Sequence, residues 1–248
     1  MAAHQVRRSG LTMPVVTRRF IDHAWRRGCD FINLDLEDSV PPHLKAHARG
    51  LIKGAIPIVR KGGAEAFTRI NHDYVHADLE AIVWPGLSKV NYPKAESADE
   101  IRLLDAVITR LERERGIRPG TIEIGANIET AKGVAAAYEI ASASPRVREF
   151  GGGSGYDMSR DLGVEMFVGF EQFAYGKSEL EARAFDHLLG EGLEHNQGRF
   201  ERPRGLPRTI LGTSTLWLHT LVTSSGSHST LPQAPGRLQE LVLAARFD

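Results

Sequence analysis

The chain has 248 residues, 42% of them hydrophobic and 25% charged, which suits one large globular domain or two small ones with a sizeable core. Lysine plus arginine and aspartate plus glutamate balance at 31 each, so the global charge calls for neither nucleic acid nor an anionic membrane surface as a partner. The single cysteine, Cys29, excludes an internal disulfide framework and suits a reducing compartment, and no apolar run approaches the roughly 18–20 residues of a membrane span, so a cytoplasmic protein is expected.

Arg7, Arg8, Arg18 and Arg19 precede the first acid, Asp22, a faint likeness to a transit peptide, but Ser9–Pro14 reads better as a first strand. Thr17–Arg27 carries Phe20, Ile21, Ala24 and Trp25 at helical spacing, and Gly28 ends that helix. Phe31–Leu36 alternates Ile32, Leu34 and Leu36 with Asn33, Asp35 and Glu37, the clearest strand of the chain. Pro41 and Pro42 open a helix that reaches roughly Arg60, with an interruption expected at Pro57. Ala66–Asn71 is the next strand, Asp78–Trp84 a short helix and Lys89–Pro93 a strand ending at Lys94. Ala98–Arg115 is a long amphipathic helix with Ile101, Leu104, Val107, Ile108 and Leu111 as its apolar stripe.

The stretch from Thr121 to Asp161 organises the rest. Ile122, Ile124, Ala126 and Ile128 alternate with Glu123, Gly125, Asn127 and Glu129; a helix is expected from Thr130 to about Ala143; a strand, Val147–Phe150, then leads into a glycine-rich turn carrying Asp157. This strand–helix–strand unit brings Glu129 and Asp157 to one edge of a sheet, where two carboxylates can hold a hard divalent cation such as Mg²⁺. The bland alternative is that each is solvated or caps a helix.

Strands and helices alternate six times from Gly10 to Phe150, which argues for an α/β fold with a parallel sheet. A doubly wound sheet and a (β/α)₈ TIM-type barrel both satisfy the pattern. The barrel is favoured because Asp35 and Glu37, Arg69 and Asn71, Lys94, Asn127 and Glu129, and Asp157 all fall at or near C-terminal strand ends, the rim where such barrels carry their chemistry. The run Asp35-Leu36-Glu37-Asp38 can bind metal, act as a base or orient a basic neighbour; alternatively it is a solvated turn with Asp38 or Ser39 near a helix N-cap. Arg69, on an otherwise apolar strand, needs a carboxylate partner from the protein or a substrate.

Other motifs carry less. Gly151–Gly155 lacks the spacing of a phosphate-binding loop and reads as a tight turn aiming Asp157. Of the ten histidines, only His72 lies near the strand ends. Ser154 has no nucleophile-elbow context. The arginines at 199, 202, 204 and 208 lack an aromatic platform for nucleic acid.

In order and spacing, RSGLTMP, GCDFINLDLEDSVPPHLKAHAR, FTRIN, VNYPKAES, NIETAKGV and FGGGSGYDMSRDLG resemble the citrate lyase beta-subunit family of the HpcH/HpaI aldolase group, over roughly Arg8 to Lys177. The resemblance implies a (β/α)₈ barrel that binds Mg²⁺ and makes or breaks a carbon–carbon bond in CoA or acyl-carrier thioesters of hydroxy-dicarboxylic acids: malyl, citramalyl or citryl. It also implies that Glu129 and Asp157 hold the metal, that Arg69 meets a substrate oxygen, and that Glu37 and Asp38 flank the ligands or transfer protons. Expected partners are the small-molecule thioester and further copies of this chain.

The family's two remaining barrel strands and its C-terminal lid are not recognisable after Lys177. The expected organisation is a catalytic βα region over residues 1–189, an incomplete barrel of about six units, followed by an irregular tail over 190–248. That tail is either a replacement segment or the product of a shifted reading frame; its apolar patch Leu211–Val222 is the one obvious cover for open strand edges. Two rival functions stay open: a class II pyruvate aldolase acting on free hydroxy-oxoacids, and a non-catalytic barrel remnant. Thioester hydrolysis is a close variant of the lyase.

Overall fold

Each of six short strands is followed by a helical segment in the computed structural model, which describes residues 7, 9–152 and 155–163. The strands are β1 (Gly10–Pro14), β2 (Phe31–Asp35), β3 (Glu65–Arg69), β4 (Leu87–Tyr92), β5 (Glu123–Ile128) and β6 (Val147–Gly152). They form one sheet in the order β1-β2-β3-β4-β5-β6, with every pair parallel. A doubly wound sheet reverses its strand order partway. This sheet does not, and the fold is of the βα-barrel type. The tail from residue 190, with its Leu211–Val222 patch, lies outside the described residues.

The helices are α1 (Arg18–Ala24), α2 (Lys45–Val59), α3 (Val75–Ile82), α4 (Ala98–Glu114), α5 (Ala131–Ala135), α6 (Ala137–Ser142) and α7 (Gly155–Leu162). The expected stripe of α4, from Ile101 to Leu111, is buried throughout, and Ser97 caps the helix by accepting from the Glu100 amide. Strand ends shift by a residue or two from expectation, and three helices differ more. Helix α2 continues through Pro57, because Pro57 and Lys53, whose carbonyl loses its partner, lie on the exposed face where water serves. Helix α3 starts three residues earlier than Asp78. The single helix expected over 130–143 is two, joined at Ala136 (φ −103°, ψ 20°).

The two faces of the sheet differ in kind. Ile32, Leu34, Ala66, Val90 and Ile124 point outward into one apolar cluster with Ala48, Ile52 and Ile56 of α2 and Leu104 and Ile108 of α4. The inner face is polar at most levels. Arg7 pairs with Glu65 at 2.6 Å and Glu123 at 2.7 Å; above it Phe31 stacks on Phe67 with ring centroids 4.6 Å apart. The fully buried Lys89 lies over the Phe67 ring and pairs with Glu149. Asn91 donates to Asn33 at 3.2 Å. In register, Asn91 stands opposite Gly125, and Gly125 opposite Glu149. A Cβ at Gly125 would sit 2.5 Å from Asn91 Oδ1 and 3.4 Å from Lys89 Cδ, so the glycine gives these side chains room over β5.

Candidate active site at the C-terminal strand ends

Asp35 ends β2 directly opposite Arg69, which ends β3. The two meet as a fork: Arg69 Nε donates to Asp35 Oδ1 and Nη2 to Oδ2, both at 2.8 Å. Asp35 also accepts from the Ser39 hydroxyl at 2.6 Å, the Ser39 amide at 3.0 Å and the Glu37 amide at 3.0 Å. Burial opposes ionisation of Asp35, yet the Arg69 fork, helped by Ser39 and the Glu37 amide, holds its carboxyl below the usual range. The turn after β2 is therefore folded around Asp35. Neither Asp38 nor Ser39 caps a helix; the next helical turn begins at Pro42 without a side-chain cap.

Glu37 is gripped from several sides. Lys94 Nζ donates to its Oε1 at 2.8 Å, and Arg69 Nη1 lies 3.0 Å from its Oε2, at an angle that leaves Oε2 buried without a hydrogen bond. Lys45 of α2 donates to the carbonyls of Leu36 at 2.7 Å and Glu37 at 2.5 Å, fixing the backbone beneath. Burial outweighs the neighbouring cations and raises the Glu37 carboxyl. Asp38 is largely exposed, with Arg69 Nη1 3.3 Å from its Oδ2.

Glu129 follows β5 and is buried, with Asn127 Nδ2 at 3.4 Å and Lys94 Nζ at 3.9 Å as its polar neighbours. Its carboxyl is pushed up to about 7, first by burial and then by the negative charges of Glu37 and Asp157. Asp157 sits in the first turn of α7, so the loop expected to aim it is a helix start instead. Asp161 of the same helix accepts from the Ala131 amide at 2.8 Å, which ties α7 to the segment just after Glu129. His72 stays on the rim, partly exposed and stacked on Tyr92 at 5.5 Å.

All five residues singled out from the sequence (Glu37, Asp38, Arg69, Glu129 and Asp157) thus fall at one end of the sheet. Three further residues of the site were underweighted by sequence reasoning. Asp35 was one acid in an acidic run, and only its register with Arg69 makes it the anchor. Lys94 was visible as a basic strand end, but nothing local tells that it bridges Glu37 and Glu129. Nothing in the sequence marks Lys45 as the anchor of the Leu36 and Glu37 carbonyls.

An α/β protein of the βα-barrel type, with acids and bases gathered at its C-terminal strand ends, is the class that fold and site define. The family model for HpcH/HpaI aldolase/citrate lyase matches residues 8–184, and the chain belongs to that family. Among similar proteins, the citrate lyase subunit beta of Leuconostoc mesenteroides subsp. cremoris is 35% identical over 150 residues, 59% of this chain and 50% of that protein. The L-malyl-CoA/beta-methylmalyl-CoA lyase of Cereibacter sphaeroides is 35% identical over 176 residues, 67% of this chain and 50% of that protein. The chain spans about half the length of these curated relatives. The solved structure of the CitE protein of Mycobacterium tuberculosis, in complex with magnesium and acetate, superposes with a TM-score of 0.56 at 25% identity, covering 75% of this chain and 73% of that one.

Proposed function

We propose that this chain carries the site of a Mg²⁺-dependent carbon–carbon lyase that cleaves, or in reverse forms, a 3-hydroxyacyl-CoA-type thioester such as a malyl, citramalyl or citryl thioester, giving an acyl thioester and a 2-oxoacid. The observation that carries this reading is Glu129: a buried carboxylate with Asn127 Nδ2 at 3.4 Å and Lys94 Nζ at 3.9 Å as its polar neighbours, pushed up to about 7 first by burial and then by the charges of Glu37 and Asp157. Clustered carboxylates whose mutual repulsion raises a pKa fit a divalent cation, which relieves that repulsion. Among the described residues no three histidine, cysteine or carboxylate side chains converge as ligands. Glu129 and Asp157 alone, with waters and substrate oxygens completing the octahedron, match the sparse protein coordination that Mg²⁺ favours.

Bound there, the cation supplies Lewis-acid stabilisation of charge on the 2-oxoacid oxygens. The chain's own groups do the rest. Arg69 is oriented by Asp35, which takes Nε and Nη2 and leaves Nη1, whose looser contacts a substrate oxygen can replace; it balances charge as the bond breaks. Glu37 Oε2, buried and free of a hydrogen-bond donor, accepts the substrate's hydroxyl proton, with Asp38 as the exposed carboxylate that exchanges protons with water. Loss of that proton turns the C–OH into the carbonyl of the 2-oxoacid. The electron pair of the broken C–C bond passes to the thioester as its enolate, whose carbon is then protonated.

The similarity to an enzyme named for malyl-CoA favours a CoA thioester over a free hydroxy-oxoacid. We place the protein in the cytoplasm as a homo-oligomer, with a catalytic region over residues 1–189; among the described residues no helix is long and apolar enough to cross a membrane. The test is to incubate the purified full chain with malyl-CoA and Mg²⁺ and follow acetyl-CoA and glyoxylate together, with a free 4-hydroxy-2-oxoacid in parallel. Cleavage of the thioester that stops with EDTA is expected. Cleavage of the free acid alone assigns a pyruvate aldolase, free CoA without glyoxylate a thioesterase, and no turnover of either a non-catalytic barrel.

A further inference from the structure

Among the described residues, Lys94 is the only non-glycine with a positive φ, 53°. A left-handed lysine costs roughly 1–2 kcal/mol, and such a conformation persists only where the surroundings enforce it. Here they do. Pro93 precedes it, and the next residue, the fully buried Ala95, donates its amide to the Asn127 carbonyl at 3.0 Å. The Ala95 carbonyl lies against Gly133, so closely that a Cβ there would collide with it. The backbone of residues 94 and 95 is therefore wedged between the end of β5 and the start of α5, and the side chain of Lys94 leaves at an angle an ordinary strand end would not give.

That angle puts Nζ between two carboxylates with different tasks: 2.8 Å from Glu37 Oε1 and 3.9 Å from Glu129 Oε2. Arg69 Nη1 meets the other oxygen of Glu37 at 3.0 Å. As held, no three carboxylates converge among the described residues; released from these cations, Glu37 would be free to turn toward a cation held by Glu129 and Asp157 as a third oxygen donor. Three carboxylates make a tighter, more highly charged cation site than two. They would also consume the carboxylate that the reaction needs for its proton.

Building on the cation assignment above, we infer that Lys94 is a positioning residue that withholds Glu37 from the cation: its ammonium, held by the strained backbone, is the fixed spacer between the proton-transfer carboxylate and the metal-binding pair. Arg69 cannot serve alone, because it reaches only Oε2 and is anchored to Asp35.

The test is a double-mutant cycle on Mn²⁺ binding by the full chain, read by titration calorimetry and by the electron paramagnetic resonance of free Mn²⁺, with no substrate present. The proteins are the parent, Lys94→Met, Glu37→Gln and the double variant, with Glu129→Gln as the control for the site itself. Lys94→Met should bind Mn²⁺ about tenfold more tightly, as expected for one more carboxylate ligand. In the Glu37→Gln background the same substitution should change affinity less than about twofold, since no carboxylate is left to join. Equal tightening in both backgrounds means that Lys94 acts only through its charge, and it overturns the inference; so does unchanged or weaker binding in Lys94→Met. Lys94→Gln is run beside it, and far-UV circular dichroism confirms that each variant folds. Parental Mn²⁺ binding that survives Glu129→Gln would instead remove the cation assignment on which the inference rests. Turnover of malyl-CoA gives a second readout: Lys94→Met should lose kcat with KM nearly unchanged, and Lys94→Arg should recover part of it.

Discussion

Asp35 and Arg69, 34 residues apart, end neighbouring parallel strands in exact register and close a two-point ion pair with both bonds at 2.8 Å. Lysine cannot reproduce that planar fork. Arg69→Lys should therefore lower turnover by about 100-fold or more, the loss typical when a preorganised donor to developing charge is removed. Steady-state kinetics at saturating Mg²⁺ measures it, and parental turnover would take Arg69 out of the site.

Asp35 makes stability depend on acid. Its carboxyl is held below the unfolded value of about 3.9, so its contribution is complete above that pH and is lost as pH falls through the lower, folded value. Urea unfolding between pH 2 and 6 should show a steep acid limb. Asp35→Asn should flatten that limb and, by leaving Arg69 buried beside a neutral partner, cost about 3 kcal/mol at pH 7.

Glu129 has the opposite sign. With its carboxyl pushed up to about 7, the folded chain binds more protons than the unfolded one between about pH 4.3 and 7, so without a cation this group lowers stability as pH rises through that window. Divalent-cation binding must expel the proton, so affinity should fall about tenfold per pH unit below 7. Glu129→Gln should abolish cation binding and turnover while leaving the far-UV spectrum unchanged. Calorimetric Mg²⁺ titrations from pH 5.5 to 8 check both statements, and a flat affinity profile contradicts them.

Gly125 tests the inner face of the sheet. Gly125→Ala pushes a methyl group against Asn91 Oδ1 and the Lys89 side chain, and overpacking of this kind costs about 1–3 kcal/mol. The midpoint of urea unfolding should drop accordingly. An unchanged midpoint would mean that Lys89 and Asn91 move aside freely.

The α4 stripe and the alternation of Phe31–Leu36 were legible because they are local: a period of 3.6 or 2 in the apolar residues states which side of an element meets the core. The same periodicity puts Asp35, Glu37, Arg69, Lys94 and Glu129 at strand ends. It could not choose between a barrel and a doubly wound sheet, since both alternate strand and helix; the unreversed order β1 to β6 did that. Nor could it tell that Arg69 is committed to Asp35, that Lys94 stands between Glu37 and Glu129, or that burial beside like charges brings Glu129 to about 7. Those facts depend on register between strands and on distance through a low-dielectric interior, quantities that no single segment of the chain contains.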